Sequence, residues 1–140
     1  MSMPKLLQIN ATANWGSTGR IAEQIGEVAM ARGWESYIAY GRKCNDSVST
    51  LIKIGSYVDV AFHCLKARIF DAAGLGSYIA TRRLVRQIRE IKPDVIQLHN
   101  IHGYYLNYKY LFKYLNSCKI PVVWTFHDLW ALTGHCAHFV

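Results

Sequence analysis

Three stretches of the 140-residue sequence carry the side chains best suited to chemistry. The first is Asn10-Ala-Thr-Ala-Asn-Trp-Gly-Ser-Thr-Gly-Arg20. Gly16 and Gly19 allow positive φ and close approach of backbone to a ligand. The N–H groups of a helix starting there, with the positive end of its dipole, suit a phosphate or a developing negative charge. Arg20 adds a bidentate donor. Gly16, Ser17, Thr18, Gly19 and Arg20 are therefore the candidate phosphate-side residues. Their spacing matches neither G-x-G-x-x-G nor the Walker pattern with its Lys. The structural alternative is a tight turn with Thr18 as helix N-cap.

The second stretch is His99-Asn-Ile-His102-Gly103, and the third is Thr125-Phe-His127-Asp128, with Thr133-Gly-His135-Cys136 close behind. Imidazoles at strand ends can bond phosphate, a sugar hydroxyl or an anionic transition state. This makes His127 and Asp128 the candidate reaction-centre pair, and His99, Asn100, His102 and Gly103 candidate substrate contacts. A metal site is the competing reading, because His99, His102, His127, Asp128, His135, Cys136 and His138 are all ligand types. Their spacings fit no H-E-x-x-H pattern or zinc clasp, so no metal is expected. No nucleophile sits in a recognisable elbow either.

These stretches need a frame that brings them together. Leu6–Asn10, Ser36–Tyr40, Leu51–Ile54, Asp94–His99 and Pro121–Phe126 read as five strands. The segment after Arg20 reads as a helix with Ile21, Ile25, Val28 and Ala29 on its inner face, closed by Gly33. Val58, Phe62, Leu65 and Ile69 form the apolar stripe of a second helix, which Gly74 and Gly76 interrupt. Leu84, Val85, Ile88 and Ile91 form that of a third, ending near Pro93. Leu106–Ser117 is the fourth, with Leu111 and Leu115 inward. Strands that are apolar runs, alternating with helices, predict an α/β fold with a Rossmann-like, doubly wound parallel sheet. In that order the first, fourth and fifth strands are central neighbours, and the three stretches leave from one edge of the sheet.

Composition agrees with one soluble α/β domain over residues 1–140. Half the residues are apolar (51%) and few are charged (18%), which argues against disorder. The N-terminus shows no secretory signal and no apolar run is long enough for a membrane span, so a cytoplasmic location is expected. Cys44, Cys64, Cys118 and Cys136 form no CxxC pair and read as reduced thiols. Lys plus Arg exceed Asp plus Glu by seven (16 minus 9), favouring an anionic partner. Arg82, Arg86 and Arg89 lie on one helix face. Each such charge near an anionic leaflet contributes about 1 kcal/mol, so peripheral contact with the inner face of the plasma membrane is a second reading beside plain solvation. The tyrosines around Tyr104 do not alternate with basic residues, so a nucleic-acid partner is not expected.

Taken in order, Ile9–Ile21, Tyr37-Ile-Ala-Tyr-Gly-Arg42, Gly74-Leu-Gly-Ser77, Asp94–Gly103 and Val122–Cys136 resemble the N-terminal domain of family 4 retaining glycosyltransferases of the GT-B fold. The resemblance is to enzymes of bacterial capsule and exopolysaccharide synthesis, and it runs over essentially the whole chain. It implies a nucleotide-sugar donor, a glycan or lipid-linked acceptor, retention of configuration, and no cofactor or catalytic metal. It places Gly16 and Gly19 beside the donor diphosphate, His127 at the transferred sugar, and His99 and Asn100 on the acceptor wall. The family's C-terminal nucleotide-sugar domain is absent from these 140 residues, so little or no transfer by them alone is expected. The alternative reading is a non-catalytic α/β module that binds a phosphorylated sugar or nucleotide.

Overall fold

The computed structural model describes residues 2–70 and 77–133. Five strands, β1 (Lys5–Asn10), β2 (Glu35–Tyr40), β3 (Thr50–Lys53), β4 (Val95–Leu98) and β5 (Val122–Trp124), form one sheet. Its order is β3-β2-β1-β4-β5 and every pairing is parallel. This is the doubly wound α/β arrangement predicted above. β1 lies at its centre with β2 on one side and β4 on the other, so the direction of winding reverses between β1 and β4.

The strands are apolar runs because both faces of the sheet are covered. Leu7, Ile9, Ile96 and Leu98 are fully buried and meet Leu84, Ile88 and Leu111 from α3 (Tyr78–Ile91) and α4 (Tyr108–Ser117). Leu84, Val85 and Ile88 line the inner face of α3 as expected, while Arg82, Arg86 and Arg89 are exposed. Lys92 closes α3 in the left-handed region, just before Pro93 forbids continuation. Asn107 caps α4: its Oδ1 accepts from the Tyr110 N–H at 2.9 Å.

Two helices bury faces other than those expected. Helix α1 (Gly16–Ala31) turns Gly19, Ala22, Glu23 and Gly26 inward, while Ile21 and Val28 are exposed. The reason is close packing. A Cβ on Gly26 would stand 2.9 Å from Ser36 Oγ and closer still to Ser49 Oγ, leaving no room for a bulky residue on that face. Buried Glu23 accepts from Val48 N–H (2.8 Å) and from the Ser47 hydroxyl. On α2 (Tyr57–Phe70) the row Val58, Phe62, Leu65 and Ile69 is 55–76% exposed, and His63 is the buried position. The apolar stripe is present at helical spacing but points away from the core.

Strand β5 is shorter than the expected Pro121–Phe126. Among the described residues it is one of the two edge strands, with β3 at the other edge, and not a central strand as expected; Val122 and Val123 are exposed. Gly74 and Gly76 lie outside the described residues, as do His135, Cys136 and His138. Cys44, Cys64 and Cys118 are free thiols.

Candidate functional site

The loops after β1, β4 and β5 meet at the C-terminal edge of the sheet, beside the reversal between β1 and β4. Each is held by side chains from the strands beneath. Asn10 ends β1. Its Nδ2 donates to the Thr12 carbonyl (2.9 Å) and the Thr18 hydroxyl (3.4 Å), and its Oδ1 accepts from Asn100 N–H (3.3 Å). One buried amide thus ties the glycine segment to the loop after β4. Tyr105 donates its hydroxyl to the Asn100 carbonyl at 2.6 Å, and Trp124 Nε1 donates to the His99 carbonyl at 3.1 Å.

The glycine segment is the first turn of α1, not a loop before it. Gly16 has φ +65°, the left-handed region open to glycine. Trp15 occupies the N-cap position and no side chain caps the helix, so Thr18 is not the N-cap. Gly16, Ser17 and Arg20 are exposed. Gly19 is buried: a Cβ there would stand 2.8 Å from Thr12 Oγ1 and 3.2 Å from Asn14 N. Its smallness lets the 12–14 loop fold against α1, a role separate from ligand approach.

His99, immediately after β4, is 1% exposed and bridges two strand ends. Gln8 of β1 donates its Nε2 hydrogen to the Ala22 carbonyl (2.8 Å), which turns its Oε1 toward His99 Nε2 (2.9 Å). His99 therefore donates from Nε2. Burial first, and the neighbouring His127 second, lower its pKa to about 4. Neutral His99 has an acceptor at Nδ1, so the proton in its 2.8 Å contact with His127 Nε2 is the one on His127. The rings stack with centroids 5.1 Å apart. A second pair lies alongside: His102 Nε2 bonds Asp128 Oδ2 at 2.7 Å. Burial alone would raise the Asp128 pKa. The Trp130 N–H and His102 outweigh it, so the carboxyl stays below its ordinary range.

His99, Asn100, His102, His127 and Asp128 line one shallow hollow with Trp130 as a wall. Gly103, with φ +109°, turns the chain just behind it. Sequence reasoning thus placed the histidine loops together, but it missed Gln8 and gave no role to Asn10, where the first stretch begins. A Gln and an Asn inside the otherwise apolar β1 run were the available signal, since a buried polar side chain must find a partner. Among the described residues no three His, Cys, Asp or Glu side chains converge as metal ligands. Both nitrogens of His99 are already engaged.

The low His99 pKa gives a testable pH dependence. The unfolded chain takes up this proton near 6.5, whereas the folded chain resists it down to about 4. Between those values the unfolded state binds more protons, so the contribution of His99 is complete above 6.5 and is lost as pH falls toward 4. In an imidazole NMR titration the His99 ring is expected to stay neutral throughout pH 5–8. A midpoint near 6.5 would contradict the buried bridge.

Comparison with known proteins bears on what this edge does. The model of Glycosyltransferase Family 4 matches residues 18–139. WcaC of Escherichia coli (strain K12), named for glycosyl transfer in colanic acid biosynthesis, is 27% identical over 144 residues. That match covers 94% of this chain and 35% of WcaC, so the chain spans about a third of the relative's length. No solved structure matches.

Proposed function

Because the chain belongs to Glycosyltransferase Family 4, we propose that it is the N-terminal, acceptor-side domain of a retaining, hexosyltransferase-type enzyme. The intact protein moves a sugar from a nucleotide-sugar donor to a glycan or lipid-linked acceptor during surface polysaccharide synthesis. The observation that carries this reading is the meeting of three motif loops at one edge of the sheet. There the open first turn of α1 and the His99–His127 pair lie at the reversal where doubly wound sheets take ligands.

In this reading the first turn of α1, with Gly16, Ser17, Thr18 and Arg20, faces the donor diphosphate. His127 contacts the transferred sugar at the reaction centre, and Asp128 acts beside it by fixing His102. His99, Asn100, His102 and Gly103 form the acceptor wall. The charge to be stabilised is that of the departing nucleotide diphosphate, a task for oriented N–H groups and cations. The reaction needs no cofactor or catalytic metal in this scheme.

Two further features support a peripheral place at an anionic leaflet of the cytoplasmic membrane. Arg82 and Arg86 are exposed on α3 while Arg89 lies partly over the Tyr114 ring (5.3 Å), and the α2 row is apolar and outward. Among the described residues no helix is long and apolar enough to cross a membrane. A donor screen on the intact protein with a lipid-linked acceptor tests the main reading. Transfer from one nucleotide sugar is the expected result. Tight nucleotide-sugar binding with no transfer to any acceptor would favour a non-catalytic module.

A further inference from the structure

A crevice of about 530 Å³ opens at the C-terminal ends of β2 and β3. Trp15, Tyr40 and Tyr57 supply aromatic surface, and Arg42, Lys43 and Lys53 supply positive charge. Among the described residues no Asp or Glu lines it. These residues come from four separate places: the N-cap of α1, the end of β2 with the loop after it, the end of β3, and the start of α2.

The crevice is built rather than incidental. Its rim consists of the 11–14 and 41–46 segments, which are laced together. Arg42 N–H donates to the Ala11 carbonyl (2.9 Å), Ala13 N–H to the Lys43 carbonyl (3.0 Å), and Asn45 N–H to the Ala13 carbonyl (3.0 Å). Asn14 Nδ2 donates to the Asp46 carbonyl and Asn45 Nδ2 to the Asn14 carbonyl. Lys53 is committed to this framework. Its ammonium donates to the Gly41 and Arg42 carbonyls (2.6 and 2.9 Å) and sits over the Tyr40 and Tyr57 rings. Asp59, the nearest acid on α2, is occupied by the Ser56 N–H and hydroxyl.

Two cations are left to act on a ligand. Lys43 lies 4.8 Å from the centre of the Trp15 ring. Arg42 makes no ion pair among the described residues. Its side chain runs past Gly103, where a Cβ would stand 3.6 Å from Arg42 Cδ. The guanidinium therefore lies beside Gly103, in the loop after β4. Aromatic faces suit the apolar side of a pyranose ring, and a guanidinium fork suits a carboxylate or phosphate. A phosphate alone would have no use for three aromatic walls, and a neutral sugar none for two cations without a carboxylate partner.

We propose that this crevice is a subsite for a negatively charged sugar unit of the acceptor, its ring held among Trp15, Tyr40 and Tyr57 and its anionic group by Arg42 and Lys43. The assignment to the acceptor rests on the reading of this chain as the acceptor-side domain. The shared chemistry is a pyranose bearing either a carboxylate or a phosphate.

Calorimetric titration of the protein with methyl β-glucuronide, glucose 1-phosphate and methyl β-glucoside separates these sources. At low salt at least one anionic probe is expected to bind ten-fold or more tightly than the neutral glycoside. The glucuronide alone identifies a uronate, the phosphate alone a glycosyl phosphate, and both a general anionic subsite. In the R42Q/K43Q variant, whose replaced side chains are exposed, the preference should fall below two-fold with the melting temperature unchanged. Trp15→Ala should weaken the preferred probe several-fold. Equal binding of all three probes, no binding, or a preference that survives R42Q/K43Q would overturn the subsite. Transfer by the intact protein is a separate readout. Binding without inhibition of transfer keeps the subsite and removes its acceptor role, whereas transfer to an acceptor together with no anionic preference in the titrations removes the subsite and keeps the acceptor-side reading.

Discussion

Replacing His127 by alanine is expected to lower transfer by the intact protein about 10²- to 10³-fold, the size of effect seen when one positioned side chain at a reaction centre is removed. The loss should fall mainly on kcat, because the proposed function puts His127 at the reaction centre and not at the distal parts of either substrate. Its orientation is not its own property. Gln8 is anchored on the Ala22 carbonyl, aims its oxygen at His99, and so sets which His99 nitrogen accepts from His127. A Gln8→Met variant should reproduce part of the His127 effect, although Gln8 is fully buried beneath the hollow. It leaves the buried His99 Nε2–H without its partner, which carries a stability penalty of about 1–3 kcal/mol. Because the groups act as a chain, the double variant should be little worse than His127→Ala alone. Wild-type kcat in His127→Ala would remove this residue from the reaction centre. Full additivity with Gln8→Met would instead break the link between the two.

The parts of this architecture that were legible in the sequence are those that depend on long-range regularity. Five apolar runs separated by helical patterns sufficed for a parallel doubly wound sheet. The strand order follows from right-handed crossovers and brings Asn100, His102, His127 and Asp128 to one edge. The misreadings have a common cause. Helical periodicity counts bulky apolar residues, whereas α1 approaches the sheet so closely that only Gly19, Ala22 and Gly26 fit. Spacing alone puts Ile21 and Val28 on the inner face because it carries no measure of that distance. On α2 the periodic row Val58, Phe62, Leu65 and Ile69 is real, but periodicity does not state what covers it. Gln8 escaped notice for a different reason. Its partner His99 lies 91 positions away, and one sequence contains no record of such a pairing. The two glycines at Gly16–Arg20 differ in a way that spacing does not state: Gly16 is exposed at the start of α1, while Gly19 is buried against the 12–14 loop.

Gly41→Ala is expected to have the largest effect on stability, lowering it by about 3 kcal/mol through overpacking. For a domain of this size that is roughly a 10 °C fall in melting temperature. A Cβ at Gly41 would stand 2.0 Å from Tyr105 Cγ and 2.1 Å from Cδ2, contacts that no rotamer adjustment of the alanine can relieve. Tyr105 cannot yield cheaply. It is 1% exposed, it packs within the main core, and its hydroxyl is bonded to the Asn100 carbonyl. Nor can the backbone of Gly41 retreat, since its N–H donates to the Ala11 carbonyl and its carbonyl accepts from Lys53. The strain must therefore pass to the loop carrying Asn100 and His102 or to the rim carrying Arg42. Either route couples this one methyl group to the site as well as to the core. The sign of the effect is checked by a cycle with Tyr105→Ala, which is destabilising alone because it leaves a cavity. In that background Gly41→Ala should cost at least 2 kcal/mol less than in the wild type, the coupling expected of two groups in direct contact. A Gly41→Ala protein that melts within about 2 °C of wild type would show that the 40–42 turn can move away from Tyr105, and the rigid rim inferred for the neighbouring crevice would fall with it.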